Sequence, residues 1–130
     1  MIGKKIWIID DDPIYQIIMK KVVIKSDLFT IIQSYNNGKE AIESLKKNIS
    51  SNEPFPDIIL LDIEMPVLDG WGFMDEIAHL KEQINSKLNI YISSSSIAIE
   101  DRERAKNNPN ILGYMCKPIS LEDLKKITTT

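Results

Sequence analysis

Pro56-Asp57-Ile58-Ile59-Leu60-Leu61-Asp62-Ile63-Glu64-Met65-Pro66-Val67-Leu68-Asp69-Gly70 decides the fold of this chain. Its uninterrupted apolar run, Ile58 to Leu61, reads as a strand buried on both faces. A carboxylate placed where such a strand emerges, Asp62, is held at the edge of the sheet. In open parallel sheets that edge is where ligands bind. Upstream, a second apolar run, Ile6-Trp7-Ile8-Ile9, ends in Asp10-Asp11-Asp12. Two strands that each end in carboxylates predict an acidic pocket, and acidic pockets take hard cations.

Strand and helix signals alternate through the rest of the chain. Strands are expected at Ile6–Ile9, Leu28–Ser34, Asp57–Leu61, Leu88–Ile92 and Ile111–Cys116. Asp12 and Pro13 supply a helix cap and a first-turn residue, and Ile14, Ile17, Ile18 and Val22 recur along that helix at helical spacing. Asn37 followed by Glu40 resembles a capping box, opening a helix that buries Ala41, Ile42, Leu45 and Ile49. After a polar loop, Ser50–Pro56, and the third strand, Asp69-Gly70 precedes a helix with Phe73, Ile77, Leu80 and Ile84 on one face. A mostly charged helix near Ala98–Asn107 carries the weakest apolar stripe. Ser120 can cap a last helix that turns Leu121 and Leu124 inward. Such alternation predicts an α/β fold, a parallel sheet with helices on both faces and right-handed crossovers. In the doubly wound flavodoxin-like (βα)5 order, 2-1-3-4-5, the crevice lies between the first and third strands. Those strands carry Asp10, Asp11 and Asp62.

The 130 residues suit one domain, 1–130, with one core. Sixteen Lys and Arg against nineteen Asp and Glu give a formal charge of −3. The lysine pairs at 4–5, 20–21, 46–47 and 125–126 are scattered, so the chain is not expected to bind nucleic acid directly. Apolar runs fall far short of the roughly 20 residues that span a bilayer. The start of the chain lacks signal-peptide architecture, and the single cysteine forms no internal disulfide. A cytoplasmic location is expected, with no membrane partner.

Four strand ends thus supply chemistry: Asp10 and Asp11, Asp62, Ser94 with its neighbours Ser93, Ser95 and Ser96, and Lys117. Three carboxylates in one crevice repel, pushing one toward its protonated form unless a cation intervenes. Mg²⁺ accepts one or two carboxylates, keeps several waters and bridges to a phosphoryl group. A lysine ammonium pairs with carboxylate or phosphoryl oxygens, and a serine hydroxyl donates to them. Together these groups suit phosphoryl transfer onto an aspartate.

Ile8-Ile9-Asp10-Asp11-Asp12, the stretch Leu60 to Gly70, Tyr91-Ile92-Ser93-Ser94-Ser95 and Tyr114-Met115-Cys116-Lys117-Pro118 resemble the receiver domain of two-component response regulators, in its CheY-like single-domain form, over nearly the whole chain. The resemblance implies Asp62 as phosphoacceptor. It implies a magnesium site (Mn²⁺ able to substitute) made of Asp10, Asp11, Asp62 and the backbone carbonyl of Glu64, with Asp11 a direct ligand and Asp10 acting largely through water. Ser94 becomes the switch hydroxyl, Lys117 the phosphoryl-binding lysine ahead of a cis peptide to Pro118, and Tyr114 the aromatic that turns inward. The implied partners are a histidine kinase or histidine phosphotransfer protein as donor and a downstream protein reading the surface of the fourth helix, fifth strand and fifth helix. Monomer or weak dimer is the implied state. Such a chain is no conventional enzyme, although it catalyses its own phosphorylation and dephosphorylation at Asp62.

The same residues admit competing readings. Four serines leave the register of the hydroxyl open by one, and strand alternation, which sets Tyr91 and Ser93 opposite Ile92 and Ser94, selects Ser94 unless the strand bulges. Tyr114 is either a switch or a half-buried aromatic, and Glu64 either tunes the hydrolytic water or is a solvated loop residue. Asp12 reads as a helix cap, His79 as a surface residue, Cys116 as core filler, and Trp7, Trp71 and the methionines as packing. A haloacid-dehalogenase-type phosphatase would use Asp10 and Asp12, but Ile14 occupies the position where those enzymes place Thr or Val, and the chain is short for that fold. A flavodoxin-like electron carrier needs a phosphate cradle that three aspartates would repel. A degenerate receiver serving as a docking module is opposed by the intact aspartate and lysine positions. The run Thr128-Thr129-Thr130 is an abrupt end, as of either a single-domain regulator or a receiver cut from a longer chain.

Overall fold

The computed structural model describes residues 4–84, 87–96 and 98–128; Thr129 and Thr130 of the terminal run lie outside them. Five strands, β1 (Lys5–Ile9), β2 (Ile31–Tyr35), β3 (Ile58–Leu61), β4 (Asn89–Ser94) and β5 (Ile111–Cys116), alternate with five helices. These are α1 (Pro13–Ser26), α2 (Gly38–Ser51), α3 (Gly70–Leu80), α4 (Ile99–Lys106) and α5 (Leu121–Thr128). All strand pairs are parallel and the sheet order is β2-β1-β3-β4-β5, the flavodoxin-like arrangement expected.

Successive strand residues feed two cores, as the pleat of a doubly covered sheet requires. Trp7, Ile9, Ile59, Leu61, Ile90 and Ile92 pack with α2, α3 and Ala105 of α4. Ile6, Ile8, Ile58, Leu60 and Tyr91 pack with Tyr15, Met19 and Val23 of α1 and Leu124 of α5. The helices start where side chains cap their free backbone amides. Asp12 accepts from Ile14 and Tyr15, Asn37 from Glu40, and Asp69 from Gly72. Ser120 and Asp123 exchange hydrogen bonds reciprocally at the start of α5.

Several sequence expectations shift, among them Ile84, which lies beyond the end of α3 and the short 3-10 turn after it. The second strand starts at Ile31 rather than Leu28, and Phe29 is buried ahead of it. The fourth runs two residues further than expected, through Ser94. Leu124 is fully buried, whereas Leu121 is only half-buried. Cys116 is exposed, because β5 is a sheet edge, and its sulfur accepts from the Arg102 guanidinium at 3.2 Å. The largest correction concerns α1. Ile14, Ile17 and Ile18 are 68%, 55% and 45% exposed, and the buried stripe is Tyr15, Met19 and Val23 with Gln16. Apolar residues occupy so many positions of this helix that two stripes fit the spacing. Polar bonds set the rotation. The Gln16 amide, 8% exposed, donates to the carbonyls of Asp10 (2.5 Å) and Tyr35 (3.0 Å), and the Tyr15 hydroxyl meets Ser93 Oγ at 3.1 Å. Turning the helix would strand these buried groups.

Candidate functional site

Strand register brings the site residues to one edge. Ile9 pairs with Tyr35 and Leu61, and Leu61 with Ile92. Asp10 and Asp62 therefore emerge side by side, their amides donating to the carbonyls of Tyr35 (3.0 Å) and Ile9 (2.9 Å). Ser94 pairs with Cys116, and the Lys117 amide donates to the Ser94 carbonyl at 3.0 Å. The one register shift between β4 and β5 falls at Ile90 and Tyr91, opposite Ile111 and Gly113. It leaves the alternation from Tyr91 to Ser94 intact. Ser93 Oγ faces Tyr15 of α1, whereas Ser94 lines the pocket.

That pocket, about 470 Å³, is lined by Asp10, Asp11, Asp12, Asp62, Glu64, Ser94, Ser95, Ser96 and Lys117. Carboxylate oxygens of Asp10, Asp11 and Asp62 lie within 4.8 Å of one another. Asp10 and Asp62 are buried and Asp11 is exposed. Asp10 Oδ1 accepts the Asp12 amide at 2.9 Å, and Oδ2 sits 2.5 Å from Lys117 Nζ. Asp62 Oδ1 accepts its neighbour's amide, that of Ile63, at 2.9 Å and lies 3.4 Å from the same ammonium. The Lys117–Pro118 peptide is cis.

Burial, reinforced by the Asp10 charge, pushes the Asp62 carboxyl up to about 6, against the smaller downward pull of Lys117 and the Ile63 amide. Burial alone would lower Lys117. Its ion pairs with Asp10 and Asp62 outweigh that and hold the ammonium above its usual range. One ammonium facing three carboxylates leaves an excess of negative charge. Oxygen donors at these separations suit a small hard cation that binds some ligands directly and others through water. The acidic cluster therefore fits a divalent magnesium-type ion.

Ser94 Oγ accepts the Ser96 amide at 3.0 Å. Tyr114 lies outside the pocket lining, half-buried, its hydroxyl donating to the Ser96 carbonyl at 2.9 Å beneath the Arg102 guanidinium. Glu64 is exposed at the pocket wall. Asp12 is exposed and occupied as a cap, and it is not among the three clustered carboxylates. His79 is exposed on α3, and Trp7 and Trp71 are buried. Two contributors, Gln16 and Tyr15, were missed in the sequence, and Ser96 was read only as a neighbour of Ser94. Gln16 clamps the loops after β1 and β2, Ser96 Oγ accepts the Ala98 amide and donates to Asp101, and Tyr15 lies under Lys117. The polar Gln16 within an isoleucine-rich helix was the available signal for the first.

The Response regulator receiver domain family profile matches residues 6–129. The probable C4-dicarboxylate response regulator DctR of Halalkalibacterium halodurans is 32% identical, covering 96% of this chain and 50% of that protein. The positive alginate biosynthesis regulatory protein of Pseudomonas aeruginosa is also 32% identical, covering 92% of this chain and 43% of that one. The chain thus spans about half the length of these two relatives. Among solved structures, a two-component response regulator from Cytophaga hutchinsonii superposes with a TM-score of 0.90 at 25% identity, covering 99% of this chain and 96% of the other. A response regulator receiver protein from Dyadobacter fermentans gives 0.79 at 28% identity, covering 97% and 98%. No helix among the described residues is long and apolar enough to cross a membrane.

Proposed function

Because the chain belongs to the receiver-domain family of two-component response regulators, we propose that Asp62 accepts a phosphoryl group and that residues 1–130 act as one cytoplasmic receiver unit. The observation that carries this reading is the convergence of Asp10, Asp62, Ser94 and Lys117 from four strand ends on one acidic pocket. Asp62, with a pKa of about 6, is mostly ionised at neutral pH and free to act as nucleophile. Its carboxylate oxygen bonds to phosphorus as the bond to the donor breaks, the electron pair leaving with the donor. The Lys117 ammonium and the Ser94 hydroxyl are the cationic and donor groups placed to receive the phosphoryl oxygens. Asp10, Asp11, Asp62 and the Glu64 carbonyl would hold Mg²⁺, or Mn²⁺ in its place, which when bound neutralises the charge of the transferring group.

The donor is a histidine kinase or a histidine phosphotransfer protein. The exposed isoleucines of α1, beginning two residues after Asp12 at the pocket mouth, offer it an apolar footing. Movement of Ser94 onto a phosphoryl oxygen would release the Ser96 amide it now accepts. Ser96 also holds the Tyr114 hydroxyl and caps the approach to α4. The change therefore reaches the surface formed by α4, β5 and α5, where a downstream protein would read it. The chain works as a monomer or weak dimer in this scheme.

Incubation with acetyl phosphate and Mg²⁺ followed by intact mass tests the reading. One added phosphoryl group is expected, lost in Asp62→Asn and in the presence of a chelator. A modification of undiminished extent in Asp62→Asn would overturn it.

A further inference from the structure

Lys117 has a third neighbour besides the two carboxylates. Its ammonium stands 4.4 Å from the ring centroid of Tyr15, within the range of a cation–π contact. We propose that Tyr15 is a positioning residue that keeps the Lys117 ammonium over the pocket while its anionic partners change. This inference rests on the reading of Asp62 as phosphoacceptor.

The two carboxylates hold Lys117 only until phosphoryl transfer begins. Asp62 then gives up its carboxylate charge in the bond to phosphorus, and a cation held at the site would compete for Asp10. Both directional partners of the ammonium are altered in the same step. A lysine stem has four rotatable bonds and a strongly hydrated head, so an ammonium released from both would swing into solvent. An aromatic face attracts a cation over an area rather than along one line. The ammonium can therefore slide toward a phosphoryl oxygen without leaving the ring.

Such a floor is steadier when it is held in place, and Tyr15 is anchored at both ends. Its backbone begins α1, where the Asp12 cap holds its amide. Its hydroxyl meets Ser93 Oγ on β4 at 3.1 Å, and its side chain packs in one core with Ile119, two residues beyond Lys117. The residue is 8% exposed. Tyr15 thus joins α1, β4 and the turn after β5 directly beneath Lys117, the one cation among the described residues of the pocket lining.

The roles of ring and hydroxyl separate by substitution. Initial rates of phosphorylation by acetyl phosphate, at saturating Mg²⁺, are measured for wild type, Tyr15→Phe, Tyr15→Leu, Lys117→Ala, and Tyr15→Leu combined with Lys117→Ala. Tyr15→Phe keeps the ring and should stay within about twofold of wild type, whereas Tyr15→Leu should be slower by roughly fivefold, the scale of a partly desolvated cation–π contact. In the Lys117→Ala background the Tyr15→Leu change should have no further effect. Equal slowing in both backgrounds, or no slowing in either, overturns the proposal while a phosphorylated wild type leaves the Asp62 reading standing. A wild type that takes up no phosphoryl group overturns both. Proton NMR of the wild type supplies a readout that needs no variant to fold. The Lys117 ε-methylene protons should resonate upfield of ordinary lysines through the ring current, and an ordinary shift also sinks the idea.

Discussion

Asp62→Asn should stabilise the metal-free protein, and the gain should grow with pH. The carboxyl sits near 6 in the fold against 3.8 as a free side chain, chiefly because burial and the Asp10 charge disfavour its ionised form. A group whose folded pKa is raised stabilises the fold fully below its unfolded pKa, and that contribution disappears as pH rises through the folded value. Here the window runs from about pH 4 to pH 7. Two pKa units at 1.36 kcal/mol each give roughly 3 kcal/mol between the ends of that window. Asparagine keeps the shape and does not titrate, so the variant avoids this loss. For a chain of this length the gap amounts to roughly 10 °C in Tm at neutral pH. Thermal or urea unfolding of both proteins with a chelator, from pH 4 to pH 8, measures it. Added Mg²⁺ should narrow the gap at pH 7.5, since ligand at a hundred times its Kd stabilises the chain that binds it by about 2.7 kcal/mol. A gap that is flat or shrinking as pH rises refutes the picture of a carboxylate held in an over-acidic, desolvated pocket.

Further outcomes test other parts of the structure. A Cβ on Gly70 would lie 2.5 Å from the Asp62 carbonyl oxygen and 2.9 Å from Ile63 Cα, so Gly70→Ala should cost about 1–3 kcal/mol in urea unfolding and slow phosphorylation by displacing Asp62. Asp12→Ala should lose about 1 kcal/mol of stability as a broken helix cap, while the extent of acetyl phosphate labelling, read by intact mass, is unchanged. Ile17→Lys, on an exposed face, should alter stability by less than about 0.5 kcal/mol and leave labelling by acetyl phosphate intact, yet reduce transfer from a phosphorylated histidine phosphotransfer domain in a gel-based assay.

The sheet was legible because its three central strands are buried on both faces, and Ile58 to Leu61 can be little else when a turn of Pro and Gly follows. The carboxylates were legible because each directly follows such a run. Rotation of α1 was not, since Ile14, Ile17 and Ile18 satisfy helical spacing as well as Tyr15, Met19 and Val23 do. The winning stripe depends on Gln16 and Tyr15 reaching groups on other strands, and periodicity within one helix carries no trace of those bonds. Cys116 misled for a related reason: an edge strand reads as apolar as a central one until the sheet order is known. The contact of Tyr15 with Lys117 joins residues at opposite ends of the chain, and only the assembled sheet brings them together.

Val67 holds a positive φ of 72°, a conformation that a β-branched side chain adopts only under constraint. The constraint is visible on either side: the Leu68 amide reaches back to the Pro66 carbonyl at 2.9 Å, Leu68 accepts from Gly38 at 3.1 Å, and Gly70 donates to Ile63 at 2.7 Å. The connection from Asp62 to α3 is therefore a short tether pinned at several points, with no slack to absorb a change in length. Adding or deleting one residue between Met65 and Leu68 would shift every pin at once and pull on Asp62 itself. Length in this loop is as fixed a property of the domain as the identity of its aspartate.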